Sequence, residues 1–365
     1  MKKLNLYHLL IWVVFSIATF QATAQVEEEE EEFEEFDPNE FADYGDVEET
    51  KRFCTQKVRN LTPTKLISIG YEVQLPFDIT SAPDPDSEAA EASDITNGEG
   101  EVQLVHGMQL AANFPVISKS SIIVNLALNY NESLFIFNET NDYNLYNNFD
   151  RYGLRTAGFT ATMFKPLNET NFIYAQGSAN VNNNFTFAQD EFDLSNSLTY
   201  SGAVAFGWKK SDDFLWAVGA ARTYRGGQLL YIPLLIFNRT FNDRWGTELA
   251  LPALGHLRRN ISPKSILRLG YEIVGNSYFI QNLPDASGGL QDFNELHLRR
   301  SEIKAQLIYE RSLKDFIWIS FQGGVRFNYR FNVSESLDTE SGDFLITNEI
   351  GNPLYFGISL NLVSP

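Results

Sequence analysis

From Phe316 to Phe331 the chain alternates without a break. Ile317, Ile319, Phe321, Gly323, Val325, Phe327, Tyr329 and Phe331 fall on one face, and Trp318, Ser320, Gln322, Gly324, Arg326, Asn328 and Arg330 fall on the other. Period-two alternation marks a strand with one apolar and one polar face. Strands of soluble proteins typically run roughly 5–6 residues. A strand that crosses a bilayer at a tilt needs roughly 9–11, apolar outward and polar inward. The length of this stretch therefore predicts an all-β, antiparallel transmembrane barrel.

The same period recurs along the chain. Strands are predicted near Leu66–Leu75, Val102–Phe114, Ile122–Tyr130, Tyr152–Phe164, Phe172–Val181, Leu198–Lys209, Leu215–Tyr224, Trp245–Asn260, Ser265–Gly275, Glu295–Tyr309 and Pro353–Val363. With Phe316–Phe331 these make twelve. The connections alternate between long polar loops, two of them Asn-rich, and short turns. Barrels of this class carry long loops outside and short turns at the periplasm, which puts both termini on the periplasmic side. One apolar run, Leu229–Phe237, stands outside this count because Pro233 sits in its middle. Proline cannot donate to a ladder and belongs at edges or bulges, and a closed barrel has no edge. If that run pairs around a bulge, the count becomes fourteen.

The two ends have their own composition. Met1–Ala24 has Lys2 and Lys3, an apolar run Leu9–Phe20 and a small-residue site at Ala22-Thr23-Ala24, the layout of a secretory signal. The run is too short for a membrane helix, which needs roughly 20 residues. Residues 25–59 form an acidic leader in which Glu27–Glu32 head fourteen carboxylates before Thr50, within a chain of net charge −19. Such a run repels itself and is expected to be disordered. Its readings are a solvated linker or a tail that binds divalent cations or a basic periplasmic partner. Residues 60–365 are then the barrel. The lone Cys54 cannot close an internal disulfide.

Chemistry was sought on the polar faces. The inward phase offers Arg268 and Glu272, then Arg300, Glu302 and Lys304, then Arg326 and Arg330, on three neighbouring strands. Facing lipid at mid-bilayer, each Arg or Lys would cost roughly 2–4 kcal/mol, so these residues are expected to line the lumen. They form either a basic wall that biases a pore toward anions or a network of ion pairs that fills a narrow interior. The modest lumen of a twelve-strand barrel favours the network. His106, His256 and His297 have no nucleophile or acid at a telling spacing. No metal spacing, cofactor motif or nucleic-acid patch is present, and the expected partners are outer-membrane lipid and small solutes or anions.

Tyr231-Ile232-Pro233-Leu234-Leu235, Phe237-Asn238, Trp245-Gly246, Leu251-Pro252 and Leu267-Arg268-Leu269-Gly270-Tyr271 resemble a family of Gram-negative outer-membrane β-barrels known only as a domain of unknown function. The likeness covers about residues 60–365. It implies a barrel in the outer membrane, with the Pro233 run inside the barrel unit, and it carries no substrate or catalytic residue. Two functions follow as expectations: a barrel that passes or binds small solutes, or a non-conducting barrel that displays loops and a periplasmic tail.

Overall fold

Every backbone group that faces lipid must find a partner within the protein, and this chain meets that demand by closing a sheet on itself. The computed structural model describes residues 53–364, apart from 92, 139–142, 186–193, 282–289, 291, 292, 294 and 338–343. The predicted signal and most of the leader lie outside the described residues.

The strands are β1 (Lys65–Gln74), β2 (Phe77–Pro83), β3 (Gly98–Lys119), β4 (Ile122–Phe137), β5 (Leu154–Pro166), β6 (Asn171–Asn183), β7 (Leu198–Ser211), β8 (Phe214–Thr223), β9 (Leu230–Thr240), β10 (Trp245–Leu251), β11 (Leu254–Ser262), β12 (Ser265–Phe279), β13 (His297–Lys314), β14 (Ile317–Ser334), β15 (Ile346–Ile350) and β16 (Leu354–Val363). Among the described residues, helices α1 (Glu88–Glu91), α2 (Asn144–Tyr152) and α3 (Leu194–Ser197) lie in the long connections. From β3 to β14 each strand pairs with the next, β14 pairs with β16, β16 with β1, and β1 with β3. The short strands β2 and β15 pair with each other above this junction and extend β1 and β16. Pro76 and Pro353 stand at the two breaks, where a missing N–H is tolerated. The result is one closed barrel of fourteen transmembrane strands.

Two local facts separate fourteen from twelve. Trp245–Asn260 is a hairpin, not one bulged strand: β10 and β11 pair from Trp245↔Arg259 to Ala250↔Leu254. Leu229–Phe237 contributes β9, which pairs with β8 over its whole length. Its other neighbour stops early, because the last β9–β10 pair is Leu235↔Leu251. Pro233 therefore sits on a local edge. The alternation of long and short connections failed at this point because two of the loops on the long-loop side are themselves short, 224–229 and 252–253.

The short β10–β11 hairpin also shapes the long-loop end. Above it, β12 turns to a distant strand: Phe279 bridges in parallel to Asn183 of β6. Nine strands, β12 to β15 and β2 to β6, thus form a narrower ring at this end. Asparagines tie the closure together. Asn182 donates to Thr199 Oγ1 (2.8 Å), Asn183 to Ser197 Oγ (2.7 Å), and Asn184 to Asn148 Oδ1 on α2 (2.7 Å). These residues were expected in a solvated loop, but they are fully buried. Their amide N–H groups are used, as burial requires, while Asn183 Oδ1 is left without a partner. Inside the ring, Leu145, Tyr146 and Phe149 of α2 pack on Val102, Phe135, Phe331 and Leu298.

The outward face is apolar. Val204, Leu257, Leu269, Leu307, Phe321, Phe356 and Leu360 are all exposed, which in water would be an aggregation surface and in lipid is the required one. We expect Leu269→Arg to lower the unfolding free energy in a bilayer by about 2–4 kcal/mol, because the charge would face hydrocarbon. Ala203→Ser, on the inward phase of β7, should change it by less than about 0.5 kcal/mol. Urea titration in lipid vesicles measures both.

Candidate functional site

The lumen has two unlike walls. On β12, β13, β14 and β1 the inward side chains include interlocked charges, and β16 adds Tyr355 between them. Arg300 Nη2 lies 3.3 Å from Glu302 Oε2, and Arg326 bridges Glu302 Oε1 to Glu72 Oε1 through its two Nη atoms. Glu72 Oε2 accepts from Lys304 Nζ (3.0 Å) and from Gln322 Nε2 (3.1 Å). Lys304 and Arg326 both lie over the ring of Tyr355, at 5.2 and 5.0 Å. The Tyr355 hydroxyl donates to Gln306 Oε1 (2.7 Å), and Gln306 Nε2 meets His256 Nε2 (3.3 Å).

The geometry follows from register. Lys304 and Arg326 are direct cross-strand partners, an arrangement that like charges destabilise on their own. Glu302 flanks them from β13. Glu72 arrives from β1 and has to reach past β16. The residue between Glu72 and Gln322 on β16 is Gly357, which pairs with both. A Cβ on Gly357 would come within 2.6 Å of Gln322 Nε2, so glycine keeps the gap open. Glu72, Glu302 and Arg326 are 6%, 1% and 3% exposed, so the ion pairs and hydrogen bonds between them must replace hydration. The chain Arg300–Glu302–Arg326–Glu72–Lys304 holds three cations and two carboxylates.

Nearer the short turns a second cluster forms. Glu310 Oε1 pairs with Lys65 Nζ (2.9 Å) and accepts from Ser320 Oγ (3.0 Å), and Arg268 Nη2 stands 3.0 Å from Oε2 as an ion pair. In a third, Arg258 meets Glu248 at 3.2 Å and Thr240 Oγ1 at 2.8 Å. Glu272 lies 3.8 Å from Arg225 of the 224–229 loop.

One expected lining residue moves out of the lumen phase. The register of β13 and β14 skips Tyr329, between Ser301↔Arg330 and Glu302↔Asn328. This bulge turns Phe331 inward, where it meets Phe149 at 5.6 Å. Arg330 takes the opposite face and donates to Gln228 Oε1 (2.7 Å). A bulge reverses the alternation beyond it, so a strict period of two misplaces both residues. Glu72 was missed for a different reason. It lies in the wet phase of the first strand, and closure of the barrel places that strand beside the last.

The opposite wall is neutral. Thr160 and Thr162 on β5, Gln176 and Ser178 on β6, Ser201 and Ala203 on β7 and Ala221 on β8 form matched rows across the sheet. Their phase is inward, and each keeps partial exposure. Small side chains leave the space beside them unfilled.

At the short-turn mouth lies a segment whose first part, 53–59, is predicted to belong to the disordered leader. Residues 53–62 are ordered and run along the rim. Cys54 N donates to Asn168 O (3.0 Å), Arg59 N to Asp212 O (2.8 Å), Thr240 Oγ1 to Arg59 O (2.6 Å), and Thr62 N to Glu248 Oε1 (3.0 Å). Cys54 and Val58 pack with Phe164, Phe172, Leu215 and Ala217. Burial pushes the Cys54 thiol above its ordinary pKa, which lowers its reactivity.

The histidines have separate surroundings. His106 sits on the outer face, with Nδ1 2.7 Å from the Tyr71 hydroxyl; His256 is buried beside Gln306; His297 packs on Phe279. Among the described residues no group of His, Cys, Asp or Glu is arranged to hold a metal ion.

Removing Glu72 should leave Lys304 and Arg326 facing each other. We expect Glu72→Ala to cost about 3–5 kcal/mol, the scale for breaking a buried ion pair. Glu72→Ala with Lys304→Ala should recover part of that loss, and a double-mutant cycle by urea titration measures the coupling.

Comparison with solved structures returns outer-membrane proteins. A FadL homologue of Pseudomonas aeruginosa is 11% identical, with 82% of this chain and 90% of that chain covered and a TM-score of 0.36. The Pseudomonas putida toluene transporter TodX is 8% identical over 83% and 91%, with a TM-score of 0.30. OmpT, an outer membrane protein of Vibrio cholerae, is 10% identical over 82% and 99%, with a TM-score of 0.21. At these scores the similarity carries no inference about cargo. No curated protein sequence matches the chain. A family profile matches residues 93–342, and the chain belongs to that family, described as a domain of unknown function (DUF6268).

Proposed function

We propose that this protein is an outer-membrane barrel, exported by the signal at 1–24, that passes or binds small solutes along the unfilled side of its lumen. The observation that carries this reading is the contrast between the walls. The charged wall is packed and buried, whereas inward residues such as Ser178, Ser201 and Ala203 stay partly exposed opposite it. A solute there meets hydroxyls and amides on one side. On the other it meets a buried network with one more cation than carboxylate, which favours anionic or dipolar solutes. Residues 53–62 pack on Phe164, Phe172 and Ala217 and obstruct part of the short-turn mouth. A second reading, a non-conducting scaffold, draws support from the nine-strand ring, which α2 fills with apolar side chains.

Planar-bilayer recording separates the two. The mature wild-type chain should be nearly silent. Val58→Asp places a carboxylate among Phe164, Phe172 and Leu215, and should loosen the mouth segment and give steady steps whose reversal potential in a salt gradient shows anion preference. A variant that remains folded and heat-modifiable yet silent would support the scaffold reading instead.

A further inference from the structure

The outer wall near the short turns carries arginine where lipid is expected. Arg239 on β9 stands opposite Phe214, Arg259 on β11 stands opposite Trp245, and Arg311 on β13 lies two residues beyond Tyr309. They share the outward phase of the exposed Tyr231, Leu257 and Leu307 on the same strands. Each falls within the last four residues of its strand, and all three are exposed. They therefore stand at headgroup depth, where the penalty for a charge on the lipid face falls toward zero.

Among the described residues none of the three has a carboxylate within ion-pair distance. Two rest on rings instead. The Arg239 guanidinium is 5.4 Å from the Phe214 centroid and 5.6 Å from that of Phe241, and Arg259 is 5.2 Å from Trp245. A ring face holds the guanidinium plane and leaves its N–H edges free, and that fork matches phosphate oxygens. Trp208 and Trp216, stacked at 4.4 Å, continue the band as interfacial aromatics. Lys210, Arg244, Lys264 and Lys314 stand exposed around it, with Asp212, Asp243 and Asp315 exposed in the same turns.

We propose that this band, from β9 to β13, binds the phosphate headgroups of anionic glycerophospholipids in the adjoining leaflet. The arginine forks take the phosphate, their three charges without a carboxylate partner select for net negative charge, and the acyl chains lie along Leu257, Leu269 and Leu307. This site is independent of whether the lumen conducts.

The tryptophans of the band report on it directly. The refolded mature chain is placed in vesicles of phosphatidylcholine containing either brominated phosphatidylglycerol or brominated phosphatidylcholine, and quenching of tryptophan fluorescence is compared at equal mole fraction. Stronger quenching by the anionic lipid is expected, and the preference should vanish in R239Q/R259Q/R311Q. Heat-modifiable mobility checks that this variant is folded. If it does not fold, native mass spectrometry of the wild type should show phosphatidylglycerol retained over phosphatidylcholine. Equal quenching or equal retention would overturn the proposal. So would loss of the preference on adding inorganic phosphate but not chloride at matched ionic strength, since the site would then take a soluble anion.

Discussion

A charge within the span of a barrel can face hydrocarbon at a cost of several kcal/mol, or it can turn inward and find a partner. Much of this molecule follows from the second choice. Glu72 is the residue on which the inner wall converges, because it alone holds Lys304, Gln322 and Arg326 together. That contact requires closure of the barrel, since β1 and β14 are brought near only through β16. Gly357, between them on β16, leaves room for that reach. Register, closure and electrostatics are thus one condition in this wall.

The same condition makes the lumen lopsided. Long charged side chains are concentrated on β12 to β1, and the facing strands carry Thr, Ser, Ala and Gly. The short β10–β11 hairpin adds a second asymmetry, because it lets β12 bridge to β6 and narrows one end to nine strands. The neutral rows lie on β5 to β8, of which β7 and β8 are left out of that ring. Interior space is the remainder after packing, and here the ion-pair network around Glu72, Glu302 and Arg326 is the more fully buried side.

Much of this was legible in the alternation of single strands. Barrel class, both termini on one side and the inward phase of Arg300, Glu302, Lys304 and Arg326 follow from a period of two. What escaped was information that a single strand does not carry. Pro233 reads as a strand breaker until its neighbour is known to end at Leu251. Arg330 and Phe331 exchange faces because of one bulge, and bulges leave no mark in a run this apolar. Asn182 to Asn184 have the composition of a loop, and only their partners on α2, β7 and α3 make them a clamp. Residues 53–59 share a predicted leader with the acidic run but differ from it in sign and apolar content, with Phe53, Lys57, Val58 and Arg59.

The central claim is that one wall of the lumen is filled and the facing wall is not. It can be tested by thiol modification in lipid vesicles, in a Cys54→Ser background, with a small water-soluble methanethiosulfonate. Ala203→Cys should react readily, and Gln306→Cys on the charged wall and Val204→Cys on the lipid face should both be protected. Equal protection at 203 and 306 would show a lumen filled from wall to wall, and labelling at 204 in preference to 203 would show that the assigned faces are reversed.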